Sequence, residues 1–370
     1  MPHALRRWTP LALGVVAVLM ALDPAPTLLG RFDSARRAAG HAGTYQGWIK
    51  AMRLVGRRML GVTRPRLRTL VRAAAGARWE IGGFVPFVVD GGKFDAPRTI
   101  ANEALGLAGK LGCGPQALAC IILHLGSGLL WDWRLGGACS SERHLLLAML
   151  RSLPPRTLLI MDAGFVGYDF LRTLHERGLS FLVRVGENVT LRTTPRGGRV
   201  LLRRKDRPHE PPLELRLVRV GRVHLITSVL EPERLSASAA AGLYQRRWDV
   251  EVFFRTIKQT MQRRKMRSAS PVNALIELDW TFVGAGVLGL LGAHARAGRG
   301  VDPTMLSMAG ALEAARASLR RPAASSAAPL RHALASAARD RYTRRCPKTS
   351  YRWPHKKHDH PPGIPRILAA

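Results

Sequence analysis

Four polar residues between positions 244 and 258 are spaced as they would be on one face of a helix. Tyr244, Arg247, Glu251 and Lys258 follow one another at intervals of three, four and seven residues. At about 100° per residue, all four would lie within an arc of roughly 60° on a single α-helix. A carboxylate placed among a phenol and two cations suits a helix on which Glu251 holds a metal ion while the other three side chains bind phosphates.

A simpler interpretation of the same segment is a solvated helix face. Acidic and basic side chains three or four residues apart on a helix commonly form weak ion pairs in solvent. Judged alone, segment 244–258 fits that simpler interpretation better. The interpretation as a chemical site depends on two aspartates that lie upstream in the chain.

Each of these aspartates directly follows a short apolar run. Asp90 comes after the run 84–89 and Asp162 after the run 158–161, and a glycine follows each within two residues. Such runs predict buried strands, and ligands bind at strand ends in α/β folds. Either aspartate alone is more typical of a turn. With Glu251, however, the two aspartates make a set of three carboxylates able to hold two divalent cations such as Mg²⁺.

The order Asp, Asp, Glu and the pattern Tyr-x2-Arg-x3-Glu-x6-Lys resemble the DDE transposases of bacterial insertion sequences, of the insertion-sequence-four type. All four signature positions match the spacing of that family. Segments 89–91 and 161–165 resemble its first and second aspartate motifs. The similarity extends from about residue 84 to about residue 300, and the four-residue signature is its most specific part.

The resemblance implies an α/β protein with a ribonuclease H-like mixed-sheet core and a β-rich insertion. It also implies metal-dependent DNA cleavage and strand transfer at the ends of an insertion sequence, with two Mg²⁺ ions for which Mn²⁺ can substitute. The implied partners are the terminal inverted repeats, target DNA and a second copy of the chain in a homodimer. The implied metal ligands are Asp90, Asp162 and Glu251, and the implied DNA contacts are Tyr244, Arg247 and Lys258.

The predicted order of elements after position 84 agrees with such a core: strand, strand, strand, helix, strand, helix. Pro86 cannot donate to a sheet ladder, so we expect it in the first residues of its strand. The predicted organisation begins with a helical N-terminal region (1–78) and the first part of the catalytic core (79–180). A β-rich insertion that includes a return strand (181–231) and the second part of the core (232–300) follow. The chain is predicted to end in a helical and then partly disordered basic tail (301–370). For the N-terminal region, the resemblance implies recognition of DNA ends, and a helical lid on the core is the alternative.

The charge of the chain favours a polyanionic partner. Lysine and arginine number 58 against 25 acidic residues, which gives a formal net charge of +33. An excess of this size attracts nucleic acid but does not distinguish it from an anionic membrane, and an arginine-rich composition can also follow genome bias. The basic run after the signature segment is expected to extend the DNA contacts, and it consists of Arg263, Arg264 and Lys265.

Three further features bear on alternative functions. The apolar run 11–22 imitates a signal peptide but is too short to cross a bilayer, so we predict a buried helix and a cytoplasmic, nucleoid-associated bacterial protein without a membrane partner. Segment 275–291 is likewise expected to be a buried helix. The four cysteines have no metal-type spacing. The competing hypotheses are a catalytically inactive DNA-binding protein derived from such an element and an exported or membrane-surface basic protein.

Overall fold

The computed structural model describes residues 8–106, 114–195, 197–204, 206–207, 209–320, 327–339 and 363–369. The chain forms two compact units. The first contains residues 1–81, 85–154 and 247–338, and the second contains 82–84, 155–246 and 339–370. The division at residue 154 falls inside the segment 79–180 that the sequence predicts as one part of the core.

The described residues have mixed α/β structure. The helices are α1 Pro10–Leu22, α2 Leu28–Ala38, α3 Tyr45–Ala75, α4 Glu142–Leu147, α5 Tyr168–Glu176, α6 Ala237–Gln245, α7 Trp248–Arg255, α8 Pro271–Ala297, α9 Met308–Leu319 and α10 Ala328–Ser336. The strands are β1 Val85–Asp95, β2 Gln116–His124, β3 Leu129–Gly137, β4 Thr157–Met161, β5 Ser180–Val185, β6 Thr190–Thr193, β7 Arg199–Leu202, β8 Leu213–Val220, β9 Val223–Thr227 and β10 Arg366–Leu368. The order β1, β2, β3, α4, β4, α5 is that of a ribonuclease H-like core.

In the first unit, β1, β2 and β3 form an antiparallel meander. Pro86 is the second residue of β1, as predicted, and its carbonyl accepts a hydrogen bond from Leu125 N at 2.9 Å. The prediction that the strand ends at Asp90 is wrong. Gly91 and Gly92 stay in register with β2, so that the ladder continues to Asp95.

Helices α3 and α8 pack on β3, and α1 packs on α8 and α2. The start of α1 is fixed by Thr9, whose side chain accepts from Ala12 N, and by Pro10 in the first turn. Helix α8 is long and apolar enough to cross a membrane, but 61% of its most apolar window is buried within the protein. It contacts α1, α3 and β3. The predictions of buried helices in segments 11–22 and 275–291 are therefore confirmed.

In the second unit, β4 pairs with β5 in parallel, and β5, β9, β8, β7 and β6 continue as antiparallel neighbours. The predicted β-rich insertion is confirmed, and β9 is the strand that returns to β5. Sequence reasoning did not predict β10, which pairs in parallel with β6. Residues 340–362 of the predicted tail lie outside the described residues.

Candidate active site

The signature segment is not one continuous helix. Helix α6 ends at Gln245, α7 begins at Trp248, and a π-helical turn follows from Thr256 to Thr260. The prediction that four polar residues share one face of a single helix is therefore wrong. Tyr244 is a half-buried residue of α6, whereas Lys258 lies in the π-helical turn. Turns of this kind inside α-helices are frequent at functional sites.

Arg247 joins two of the three predicted metal ligands. Its Nη2 lies 2.8 Å from Glu251 Oε1, and its Nη1 lies 3.7 Å from Asp90 Oδ2. The Arg247 side chain is only 10% exposed, and its guanidinium also lies over the Trp248 ring at 5.4 Å. The first and third carboxylates of the predicted set therefore converge on one cation, even though they are far apart in the chain.

Glycines in β1 allow the signature helix to approach Asp90. A Cβ atom at Gly92 would lie 2.6 Å from the ring of Phe254, so α7 packs directly on the glycine backbone. Alternate residues of a strand face the same side, which places Asp90, Gly92 and Phe94 on the side that α7 covers. Glu251, one turn before Phe254 on α7, is thereby brought to Asp90.

Lys258 extends this cluster on the same side of β1. Its Nζ lies 5.1 Å from the centre of the Phe94 ring and 5.4 Å from that of Phe254. Burial, and next the nearby charge of Arg264, lower the pKa of the Lys258 amine. A cation held between two aromatic faces with a reduced water shell has much to gain from an anionic partner.

Asp162 lies where the sequence predicts it, directly after β4. Its side chain accepts a hydrogen bond from Gly164 N at 2.9 Å and starts a short 3₁₀ turn at Ala163. The turn chemistry expected of Asp-x-Gly is thus present. One carboxylate oxygen is engaged in this way, and the other remains a potential ligand.

The three basic residues after the signature segment differ in their surroundings. Arg263 is 3% exposed, and its Nη2 donates to the carbonyls of Met20, Ala21 and Asp23 at the end of α1. Burial lowers the pKa of Arg263 to about 9, so the guanidinium stays charged at neutral pH. Arg263 is therefore a structural residue in this geometry, unlike the phosphate contact predicted from the sequence.

Arg264 and Lys265 remain exposed, next to the end of β1. The Arg264 side chain is 80% exposed, with Nε 3.9 Å from Asp95 Oδ2. Lys265 forms an isolated parallel bridge with Asp95. The geometry of both residues fits the predicted contacts with phosphate, because their charged groups reach solvent beside the Asp90 strand.

Sequence reasoning did not assign Glu142 to the site. A Cβ atom at Gly91 would lie 2.0 Å from Glu142 Oε1, so this carboxylate rests against β1 one residue beyond Asp90. Because Gly91 and Asp90 point to opposite faces of the strand, Glu142 lies across the strand from Glu251. The sequence signal that could have found it is Glu142 at the start of a helix, opposite a glycine in a buried strand.

Among the described residues, no three histidine, cysteine or acidic side chains lie close enough together to hold a metal ion. Asp90 and Glu251 nevertheless offer the all-oxygen donor set that Mg²⁺ prefers. The guanidinium between them shows that the position suits a positive charge. The donor chemistry of these two residues therefore fits the implied metal.

Comparisons with known proteins identify the family of the chain. Residues 88–283 match the family model described as the transposase DDE domain. Transposase InsG of the insertion sequence element IS4 from Escherichia coli (strain K12) is 27% identical over 218 residues, which cover 53% of this chain and 49% of that protein. The chain thus spans about half the length of this curated relative. A cryo-electron microscopy structure of the piggyBac transposase synaptic complex with hairpin DNA gives a TM-score of 0.40 at 11% identity, covering 89% of this chain and 76% of that one.

Proposed function

The chain belongs to the DDE transposase family, and on that premise we propose that it cleaves DNA at the ends of an insertion sequence and joins those ends to target DNA. The proposed catalytic residues and metal ligands are Asp90, Asp162 and Glu251. The proposed substrates are the terminal inverted repeats and target DNA, bound by a homodimer that bridges two ends in the bacterial cytoplasm.

The convergence of Asp90 and Glu251 on Arg247 carries this proposal. The two carboxylates come from β1 and α7, which pack closely where Phe254 lies against Gly92. Burying carboxylates beside one another is costly unless a cation neutralises them. Such an arrangement is better explained by a site that binds cations than by fold stability alone.

The chemistry proposed for the site is in-line phosphoryl transfer. Two Mg²⁺ ions, when bound, supply the charge that activates the attacking oxygen and stabilises the leaving one. The role of Asp90, Asp162 and Glu251 is to hold these ions, with Mn²⁺ as a substitute. The ends of the transferred DNA are held by the cationic side chains around them.

Arg247 has two tasks in this proposal. Its ion pairs with Asp90 and Glu251 fix the orientation of both carboxylates. A guanidinium has five N–H donors, so Arg247 can bind a phosphate and still keep an ion pair with at least one of the two carboxylates. Lys258 and Tyr244 provide further contacts with the DNA end, and Arg264 and Lys265 extend them along the backbone.

The test is cleavage of DNA that carries the inverted repeats flanking the gene, in the presence of Mg²⁺, by the wild type and by Glu251→Gln. We expect the variant to bind the repeats about as tightly as the wild type. It should lose cleavage by more than about 100-fold, the upper end of the loss when only a partner of a metal ligand is removed. Titration with Mn²⁺, followed by electron paramagnetic resonance, should show weaker metal binding by the variant.

Asp249→Asn is the matched control, because Asp249 lies about 200° around α7 from Glu251 and carries the same charge. It should keep both cleavage and metal binding. Equal loss in the two variants would remove Glu251 from the catalytic set. Specific binding without cleavage by the wild type would favour the alternative function, a catalytically inactive DNA-binding protein.

A further inference from the structure

A wide groove rich in arginine crosses the first unit between α3, β3 and α8. Its volume is about 820 Å³, and its lining includes Gly56 and Gly61 of α3. A Cβ atom at Gly61 would meet nothing within 4 Å, so the groove is open there. The lining contains six arginines and two aspartates, namely Arg53, Arg57, Arg64, Arg68, Arg134, Arg151, Asp132 and Asp279.

Four of the arginines form a stripe along α3. Positions 53, 57, 64 and 68 lie within an arc of about 60° on the helix and extend over about 22 Å of its axis. Positive charges repeated along one side of a helix repel one another, so each arginine of the stripe that has no acidic partner favours an anionic ligand. All four arginines of the stripe line the groove, and Arg53 and Arg57 also reach solvent.

The two aspartates are already used to fix two of these arginines. Arg64 Nη2 lies 2.9 Å from Asp279 Oδ1, and its guanidinium lies 4.5 Å from the centre of the Trp133 ring. Arg68 Nη1 lies 2.9 Å from Asp132 Oδ2. Both guanidinium groups are therefore held in place before any ligand arrives, which reduces the entropy lost on binding.

The remaining four arginines carry the excess charge of the groove. Arg53 donates to the neutral amide of Asn273 at 2.8 Å, and Arg57, Arg134 and Arg151 are exposed. Among the described residues, the ion pairs in the groove are those of Arg64 and Arg68, and the other four guanidinium groups form none within 4.0 Å. The groove is thus a preformed surface with several forked donors available for an extended anion.

We propose that this groove binds the sugar–phosphate backbone of duplex DNA, as a second DNA-binding surface separate from the residues of the signature segment. The proposal rests on the proposed action of the protein on DNA. A row of arginines about 22 Å long matches roughly six base pairs of duplex at about 3.4 Å per step. Forked guanidinium groups bind phosphate oxygens without reading the bases, so the contribution of the groove is independent of DNA sequence.

The experiment compares two triple variants of the full chain. One is Arg57→Gln, Arg134→Gln and Arg151→Gln in the groove. The matched control is Arg37→Gln, Arg58→Gln and Arg66→Gln, which removes the same charge from exposed arginines that do not line the groove. Arg58 and Arg66 of the control lie on other faces of α3 itself.

Binding to a duplex of random sequence is measured by fluorescence anisotropy between low and moderate salt. We expect the groove variant to flatten the slope of log K against log [salt] by about 2–3, at about 0.9 per lost phosphate contact. The control should change it by less than about 1. Equal slopes for the two triple variants would overturn the proposal. Binding to polyglutamate is measured in parallel. If the groove variant loses polyglutamate binding but keeps DNA binding, the ligand of the groove is an acidic protein segment and the proposal is also overturned.

Failure of the proposed function has a different signature. If the wild type does not cleave its inverted repeats while the groove variant still flattens the salt slope, the groove assignment stands and the catalytic proposal fails. If the wild type cleaves and the two triple variants bind alike, the catalytic proposal stands and the groove assignment fails. Thermal unfolding of both variants close to that of the wild type confirms that the comparison concerns binding.

Discussion

Replacing Arg263 with methionine tests whether this arginine stabilises the fold or binds DNA. In the structure Nη2 of Arg263 donates to three carbonyls, at 3.0 Å from Met20 O, 3.0 Å from Ala21 O and 2.6 Å from Asp23 O. These carbonyls end α1 and have no helical donors of their own. Arg263→Met keeps a long apolar side chain at the position but removes the donor.

The size of the effect follows from the two hydrogens on Nη2. At most two full hydrogen bonds can be lost, at about 1.5–3 kcal/mol each for a charged donor. Relief of the repulsion from Arg31 and of the buried charge offsets a part of this. We therefore expect a net loss of about 2–4 kcal/mol, or about 5–15 °C in the midpoint of thermal unfolding for a unit of this size.

Arg264→Met is the control, since the same change is made one residue later on a side chain that is 80% exposed. It should shift the midpoint by no more than about 2 °C and flatten the salt slope of DNA binding by about 0.9. Circular dichroism and fluorescence anisotropy measure the two quantities. An unchanged midpoint for Arg263→Met together with a flatter salt slope would refute the assignment of Arg263 to the end of α1.

Three further changes have outcomes fixed by the geometry. Gly126→Ala places a Cβ atom 1.9 Å from the backbone oxygen of Arg78, so urea unfolding should show a loss of about 2–4 kcal/mol. Burial raises the pKa of Asp279, so its folded carboxyl binds a proton more tightly than the unfolded one. The stabilisation from this group is complete below the pKa of the unfolded state and is lost as the pH rises through the pKa of the folded state. Relative to Asp279→Asn, the wild type should therefore lose free energy of unfolding from pH 4 to pH 7. A gain over this range would show that the pKa of Asp279 is not raised on folding. Lys258→Met keeps the contact with the Phe94 ring but removes the charge, so it should leave thermal unfolding within a few degrees and flatten the salt slope by about 0.9, whereas an unchanged slope would exclude Lys258 from the phosphate contacts.

Short-range patterns predicted the parts of the site that depend on neighbouring residues. The contact between Arg247 and Glu251 follows from their spacing of four residues within one helical turn. Asp162 lies directly after β4 because an apolar run and a following glycine define the end of a strand. The signature spacing predicted the family, and the family model confirms it.

Other features followed from contacts that no local pattern contains. Asp90 lies in the interior of β1 because β2 continues the ladder past two glycines. Arg263 is buried because the end of α1, some 240 positions earlier in the chain, packs over it. The same basic run therefore contains one structural residue and two exposed ones, a distinction that charge alone does not make.

The sequence by itself determined the charge, the family and the order of elements from β1 to α5, since each depends on composition or on spacing along the chain. Only the tertiary structure decided which cations reach solvent, where the signature helix is interrupted and that arginines of α3 line a groove beside β3. Burial and pairing depend on segments that are distant in sequence, and their energies are set by the neighbours that folding brings into contact.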